Sequence, residues 1–142
     1  MSCTITFSLI EESLAGNIGD DWEYTVYAKV YNPTMTGGGA RIVDEHQLTP
    51  GTTRPCPPGQ VVIPAGDCGT GPRVDLTLTA VEADFFFDDE NSNVLVVPME
   101  CPGPGGPPYV VEPEITVRVR EAPGFLGGAA SLKVKVRLVA RC

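Results

Sequence analysis

Long stretches of this chain alternate between apolar and polar residues with a period of two. In Cys3–Ile10, for example, the apolar residues Ile5, Phe7 and Leu9 are separated by threonine and serine. Because successive side chains of a β-strand point to opposite faces, this pattern predicts strands with one buried face. The same pattern recurs in Glu23–Tyr31, Val74–Glu82, Glu114–Glu121 and Ser131–Arg141.

Two shorter apolar runs, Val94–Val97 and Val61–Ile63, are further strand candidates, and the second is limited by Pro64. The connection 122–130 contains Pro-Gly and Gly-Gly, which predicts a hairpin between the last two long strands. The 142 residues include 16 Gly and 14 Pro, and no stretch has the pattern of an amphipathic helix. The sequence therefore predicts one all-β domain over residues 1–142. We expect an antiparallel β-sandwich of six to eight strands, with an irregular Pro/Gly-rich insertion at about 32–73.

The charge distribution narrows the classes of partner. The net charge is −8, and residues 1–117 carry seventeen acidic side chains against four basic ones. Nucleic-acid binding depends on clustered positive charge, so a nucleic-acid partner is not expected. No apolar run approaches the roughly 20 residues of a membrane-spanning helix, so no transmembrane segment is expected. The start of the chain lacks the pattern of a signal peptide. We therefore expect either a cytoplasmic protein or a secreted one whose sequence begins after the signal-peptide cleavage site.

The five cysteines leave several pairings open. Cys56 and Cys68 flank a short segment that one disulfide would close, whereas Cys3 and Cys142 lie on the first and last predicted strands. If those strands are neighbours, Cys3 and Cys142 come within bonding distance and Cys101 remains alone. Five reduced thiols are the alternative, because cytosolic proteins rarely keep disulfides. A zinc site is less favoured, because no two cysteines have the usual ligand spacing.

Acidic residues crowd two segments that adjoin predicted strands. One segment follows the strand Val74–Glu82, and the other directly precedes the strand Glu23–Tyr31. Carboxylate oxygens in flexible loops suit calcium, which accepts six to eight oxygen ligands with loose geometry. If both segments emerge at one edge of the sandwich, they can share a calcium ion. The candidate ligands are Asp20, Asp21, Glu23, Glu82, Asp84, Asp88, Asp89 and Glu90.

This pairing of an acidic turn before one strand with Glu82-Ala-Asp-Phe-Phe-Phe-Asp-Asp89 after another resembles the calcium-dependent sandwich domains of the C-two class. The resemblance covers roughly residues 5–31 and 74–97, although the Asp-x-Asp spacing of that class is absent from the second segment. It implies calcium bound by aspartates of two neighbouring loops, and docking to an anionic membrane surface. In that case an aromatic side chain of Phe85, Phe86 or Phe87 would insert into the membrane interface. The alternative is that the insertion 32–73 covers these residues.

Basic residues alternate with apolar ones in the last predicted hairpin, which predicts a basic outer face that includes Lys133, Lys135 and Arg137. Such a face is either ordinary solvated surface or a docking surface for anionic lipid or an acidic protein partner.

For catalysis the sequence offers little. His46 is the only histidine, with Cys56 its nearest cysteine partner, and no nucleophile or phosphate-binding motif accompanies them. The expected function is therefore a non-catalytic, calcium-binding module. The alternative is an ion-independent interaction or assembly domain, and a carboxylate-based hydrolase is a third class that would need a deep pocket.

Overall fold

The computed structural model describes residues 2–17, 21–67, 69, 71–83, 89–120 and 128–142, with the backbone alone at positions 83 and 89. These residues form an all-β sandwich of two antiparallel sheets. The ten strands are β1 (Ser2–Gly16), β2 (Asp21–Tyr31), β3 (Met35–Gln47), β4 (Thr53–Pro55), β5 (Gln60–Asp67), β6 (Arg73–Ala83), β7 (Asp89–Pro98), β8 (Tyr109–Val111), β9 (Glu114–Arg120) and β10 (Ala129–Arg141).

The first sheet has six strands but is only four strands wide, because both of its edges are interrupted. β1 pairs with β10 at the centre, β4 and β5 share the outer edge of β1, and β8 and β9 share the outer edge of β10. Pro57 and Pro58 separate β4 from β5, and Pro113 separates β8 from β9. Proline has no backbone N–H to donate to a neighbouring strand, so each edge breaks where proline occurs.

The second sheet has four strands in the order β3-β2-β6-β7. Its inner face alternates as the sequence predicts, since Tyr24, Val26, Ala28 and Val30 of β2 are all buried. The inner faces of both sheets contribute to one core, whose largest buried side chains include Trp22, Tyr24, Phe7 and Ile5. All the strands predicted from alternation are present, and β9 and β10 pair as the expected antiparallel neighbours.

The segment 32–73 differs from the expected irregular insertion, because it contains β3, β4 and β5. A Cβ atom at Gly39 would lie 2.5 Å from Cγ1 of Val61, and one at Gly37 would lie 2.9 Å from Cγ2 of Ile63. Glycine at these positions lets β3 of one sheet approach β5 of the other. The strand count accordingly exceeds the expected six to eight.

Side chains also bridge the two sheets along both edges. On the β3–β5 side, Thr36 Oγ1 donates a hydrogen bond of 2.6 Å to the carbonyl oxygen of Pro64. On the β7–β9 side, the amides of Asn91 and Asn93 each donate a 2.7 Å hydrogen bond, to the carbonyl oxygens of Arg118 and Thr116 respectively. These bonds occupy carbonyl groups of edge strands that would otherwise be open to pairing with another chain.

The cysteines follow one of the expected pairings and contradict another. Cys3 and Cys142 form a disulfide, as the proximity of the terminal strands predicts. The prediction of a bond between Cys56 and Cys68 is wrong, because Cys56 is a buried free thiol, while Cys68 lies outside the described residues. Cys101 does not remain alone either, since it is disulfide-bonded. The alternative of five reduced thiols is therefore also wrong.

Candidate functional site

A buried carboxylate occupies the interior of the sandwich near one end. Inward-facing residues of β1 are odd-numbered from Cys3 to Leu9, but a register shift between Leu9 and Glu11 inserts one extra residue. Beyond this bulge the inward residues are even-numbered, so Glu12 and Leu14 face the core. Glu12 is only 2% exposed. Burial of a carboxylate is costly unless hydrogen bonds satisfy it.

Both oxygens of the Glu12 carboxylate have partners on the opposite sheet. The hydroxyl of Tyr24, on β2, donates to Oε2 at 2.5 Å. His46 Nε2, on β3, lies 2.7 Å from Oε1. The three side chains therefore join the first sheet to the second through a short polar network.

A proton count shows how Glu12 and His46 are joined. The second ring nitrogen of His46, Nδ1, lies 2.8 Å from the carbonyl oxygen of Asp44. A carbonyl oxygen can only accept a hydrogen bond, so Nδ1 carries a hydrogen. The short contact between Nε2 and the Glu12 carboxyl then requires one more proton, on the imidazole or on the carboxyl. The pair thus holds one proton between the two sheets.

Cys56 extends the network by one group. Its sulfur lies 3.4 Å from the hydroxyl oxygen of Tyr24. Because that hydroxyl donates to Glu12, it is free to accept from the thiol. Burial raises the pKa of the Cys56 thiol, and burial also raises the pKa of Tyr24. Cys56 is therefore held as the neutral thiol, which is a poor nucleophile compared with a thiolate.

A surface cleft of about 460 Å³ opens beside the network. Its lining includes Glu12, Asp44, Glu45, His46, Arg54 and Cys56. The sequence-based pairing of His46 with Cys56 is thus partly reflected in the fold, because both residues line one cleft. However, both ring nitrogens of His46 and both oxygens of Glu12 already have internal partners. The arrangement braces the two sheets and presents neither an unoccupied general base nor an activated nucleophile to the cleft.

The strand ends that adjoin the two acidic segments lie together at one end of the second sheet. Asp21 of β2 is the register partner of Ala83 of β6, and Glu82 of β6 is the partner of Asp89 of β7. The start of β2, the end of β6 and the start of β7 are therefore adjacent, as the shared-edge hypothesis requires. We call this part of the molecule, defined by Asp21, Glu23, Glu82 and Glu90, the acidic end.

Within the acidic end, the described side chains point in different directions. Glu82 is 3% exposed and faces the core, beside the buried indole of Trp22. Glu23 and Glu90 are exposed on the opposite face of the sheet, and the half-exposed Asp21 shares that face by alternation. The sheet itself therefore separates Glu82 from Glu23. Asp20, Asp84 and Asp88 lie outside the described residues, as do Phe85, Phe86 and Phe87, and only the backbone of Asp89 is described.

One group of sulfur atoms has the proximity of a metal site. Among the described residues, the only set of three or more candidate ligand atoms within 4.8 Å of one another is the sulfurs of Cys3, Cys101 and Cys142. All three sulfurs are in disulfides. Zinc binds the thiolate, so this oxidised group does not supply its ligands.

The predicted basic face is largely neutralised by carboxylates on neighbouring strands. Arg137 forms an ion pair of 2.7 Å with Glu112, and Lys133 lies 3.6 Å from Glu114. Lys135 has Glu11 and Glu114 as register partners on its two sides. These carboxylates compensate the positive charge of Lys133, Lys135 and Arg137.

Sequence reasoning identified Tyr24 as a core residue but missed Glu12. The pattern Ile5, Phe7, Leu9 predicts odd-numbered inward positions, which would place Glu11 inside and Glu12 in solvent. Only the bulge reverses that assignment, and the local sequence contains no glycine or proline to signal it. Two adjacent glutamates at the end of an apolar run are the only hint that one of them is buried.

Comparison with known protein families, curated proteins and solved structures finds no match to this chain. The fold defines the molecule as an antiparallel β-sandwich. In the part of the chain that the structure describes, no helix has the length and apolar character needed to cross a membrane.

Proposed function

We propose that the protein is a non-catalytic binding module that holds calcium at its acidic end. One observation supports the proposal: the start of β2, the end of β6 and the start of β7, which adjoin the two acidic segments, lie at the same end of one sheet. Like charges gathered there repel one another, and a bound divalent cation offsets that repulsion. Calcium suits such a site because its ligand geometry is adaptable.

The proposed ligands on the described side are Asp21 and the exposed carboxylates beside it. The sequence supplies Asp20 before β2 and Asp84 and Asp88 between β6 and β7. Glu82 is not a direct ligand in this proposal, because its side chain faces the core.

A role in docking follows from the same site. The similarity to calcium-dependent sandwich domains suggests an anionic membrane surface as the partner. Lys133 and Arg137 of the basic face are already paired with carboxylates, and this favours the acidic end as the docking surface. Calcium would then provide the positive charge that the chain itself lacks.

Calorimetric titration with calcium tests the proposal. We expect Asp21→Asn and Asp84→Asn to weaken calcium binding by about tenfold or more, because each removes one charged ligand. Glu100→Gln is the matched control, since Glu100 is exposed just beyond β7 at the opposite end of the sheet. Equal calcium affinity in all four proteins, or no calcium binding by the wild type, would refute the site.

A further inference from the structure

The outer face of the second sheet differs from that of the first. On the first sheet, the exposed side of β10 carries Lys133, Lys135 and Arg137, with carboxylates beside them. On the second sheet, the centre of the outer face carries no charged residue among those described. We call this surface the uncharged face. It consists of Thr25, Tyr27, Ala40, Ile42, Thr77, Thr79, Ser92 and Val94.

Strand register arranges these residues in two rows. Ala40, Tyr27, Thr77 and Val94 form one row across the four strands, and Ile42, Thr25, Thr79 and Ser92 form the next. Ile42 is 69% exposed, Val94 57% and the adjacent Val96 56%. The side chain of Tyr27 lies across Gly38, where a Cβ atom would be 2.8 Å from the tyrosine hydroxyl. The face is therefore uncharged, and the hydroxyl groups of its Thr and Ser residues lie beside the apolar side chains of Ile42 and Val94.

Charged residues lie at both ends of this face, and the two ends have net charges of opposite sign. Glu23 and Glu90 flank Val81 at one end. At the other end lie Lys29 and Arg73, and Arg73 is paired with Asp75 at 3.2 Å. Two negative charges at one end thus oppose a net positive charge at the other.

We propose that this uncharged face is the docking site for a second copy of the chain. A two-fold axis that lies in the interface and crosses the strands places the Glu23 end of each copy over the Lys29 end of its partner. Such an interface is self-complementary, as a symmetric dimer requires. Opposite charges meet at both ends, and the uncharged rows meet in the middle.

The size of the face agrees with a weak, reversible dimer. Four strands about 4.8 Å apart, over the seven residues from the Glu23 row to the Lys29 row at about 3.3 Å per residue, present about 440 Å². Two copies would bury about 900 Å² in total, which is below the range of about 1,200–2,000 Å² for specific, stable interfaces and within that of weak, transient ones. We therefore expect a dimer that dissociates on dilution.

Sedimentation across a range of protein concentrations, in EDTA, tests the dimer independently of the calcium proposal. The wild type should pass from monomer to dimer as the concentration rises, and Val94→Arg should raise the dissociation constant by about tenfold or more. Val94 points into solvent, so the variant is expected to fold. Val62→Arg and Val110→Arg are the controls, because both residues are similarly exposed (57% and 47%) on strands of the other sheet.

A charge exchange makes the test specific for the proposed orientation. Lys29→Glu alone should weaken the dimer, and adding Glu23→Lys should restore it, because the two residues of opposite copies face each other. A wild type that remains monomeric at all concentrations would overturn the proposal. Dimerisation unaffected by Val94→Arg, or weakened equally by Val110→Arg, would also overturn it.

Discussion

At the scale of single residues, the molecule is distinguished by one proton shared between Glu12 and His46. Each of the polar atoms in this network has a partner, so the buried carboxylate is compensated within the protein. Charge-assisted hydrogen bonds of this kind are about twice as strong as neutral ones. The network thus fixes the relative position of the two sheets at that end.

Glu12→Gln tests the proton shared with His46. The neutral amide replaces the carboxyl in its short contacts with Tyr24 and His46 and removes their charge-assisted character. We therefore expect urea unfolding to show a loss of about 1–2 kcal/mol of stability.

The double variant Glu12→Gln/His46→Gln is the control, because it removes both members of the pair and should lose less stability than the sum of the two single variants. Additive losses would show that the two residues are not coupled through a shared proton.

At alkaline pH, the stability of the folded protein depends on Tyr24 and Cys56. Burial raises the pKa of both groups above their ordinary values of 10.0 and 9.0. The unfolded chain loses these protons at lower pH than the folded one, so it is progressively stabilised as the pH increases. Their contribution to stability is complete below about pH 9 and is lost as the pH rises toward the folded-state values.

We expect the free energy of unfolding to fall above pH 9, with each group contributing up to about 1.4 kcal/mol per pH unit. Tyr24→Phe should make this fall shallower between pH 10 and pH 11, when urea midpoints are compared with those of the control Tyr109→Phe. If stability fell with pH equally steeply in the two variants, the raised pKa of Tyr24 would be contradicted.

At the scale of elements, local sequence predicts the strands well where one face is buried and poorly where an edge is built from short segments. β2, β6 and β10 follow their alternation closely. β3 has three successive glycines, Gly37–Gly39, near its start, and these ordinarily indicate a loop. Its strand conformation is supported by pairing with β2 and by contact with β5, neither of which the local pattern contains.

The glycines of β3 provide a test of this contact. Gly39→Ala would place a methyl group against the stiff, β-branched Val61, and we expect a loss of about 1–3 kcal/mol of stability from overpacking. Gly103→Ala is the matched control, because a Cβ atom there meets no heavy atom within 4 Å. Urea unfolding of both variants measures the difference. Equal stability would show that β3 and β5 can separate without cost.

The candidate site also has features that the local sequence predicts and features that depend on pairing between strands. The sequence correctly indicates that its two acidic segments adjoin strands, and the register of β2 with β6 makes them neighbours. The inward direction of Glu82 also follows from the alternation of its strand. The direction of Glu12 does not, because a single-residue bulge depends on how β1 pairs with β10 and cannot be seen in β1 alone.

At the scale of the whole molecule, the disulfide between Cys3 and Cys142 joins strands from the two ends of the chain, 139 residues apart. By the chain-entropy estimate, closing a loop of that size contributes about 5 kcal/mol to stability. Cross-sheet hydrogen bonds close both edges of the sandwich. Two surfaces of this cross-linked sandwich are proposed to bind partners: the acidic end and the uncharged face.

Thermal unfolding in EDTA, in millimolar calcium and in millimolar magnesium tests the calcium proposal most directly. A ligand that binds only the folded state stabilises it by RT ln(1 + [L]/Kd), about 2.7 kcal/mol at a hundredfold excess over Kd. For a domain of this size, we expect calcium to raise the midpoint by several degrees relative to EDTA, and magnesium to raise it much less. Identical midpoints in all three conditions would contradict a calcium site at the acidic end.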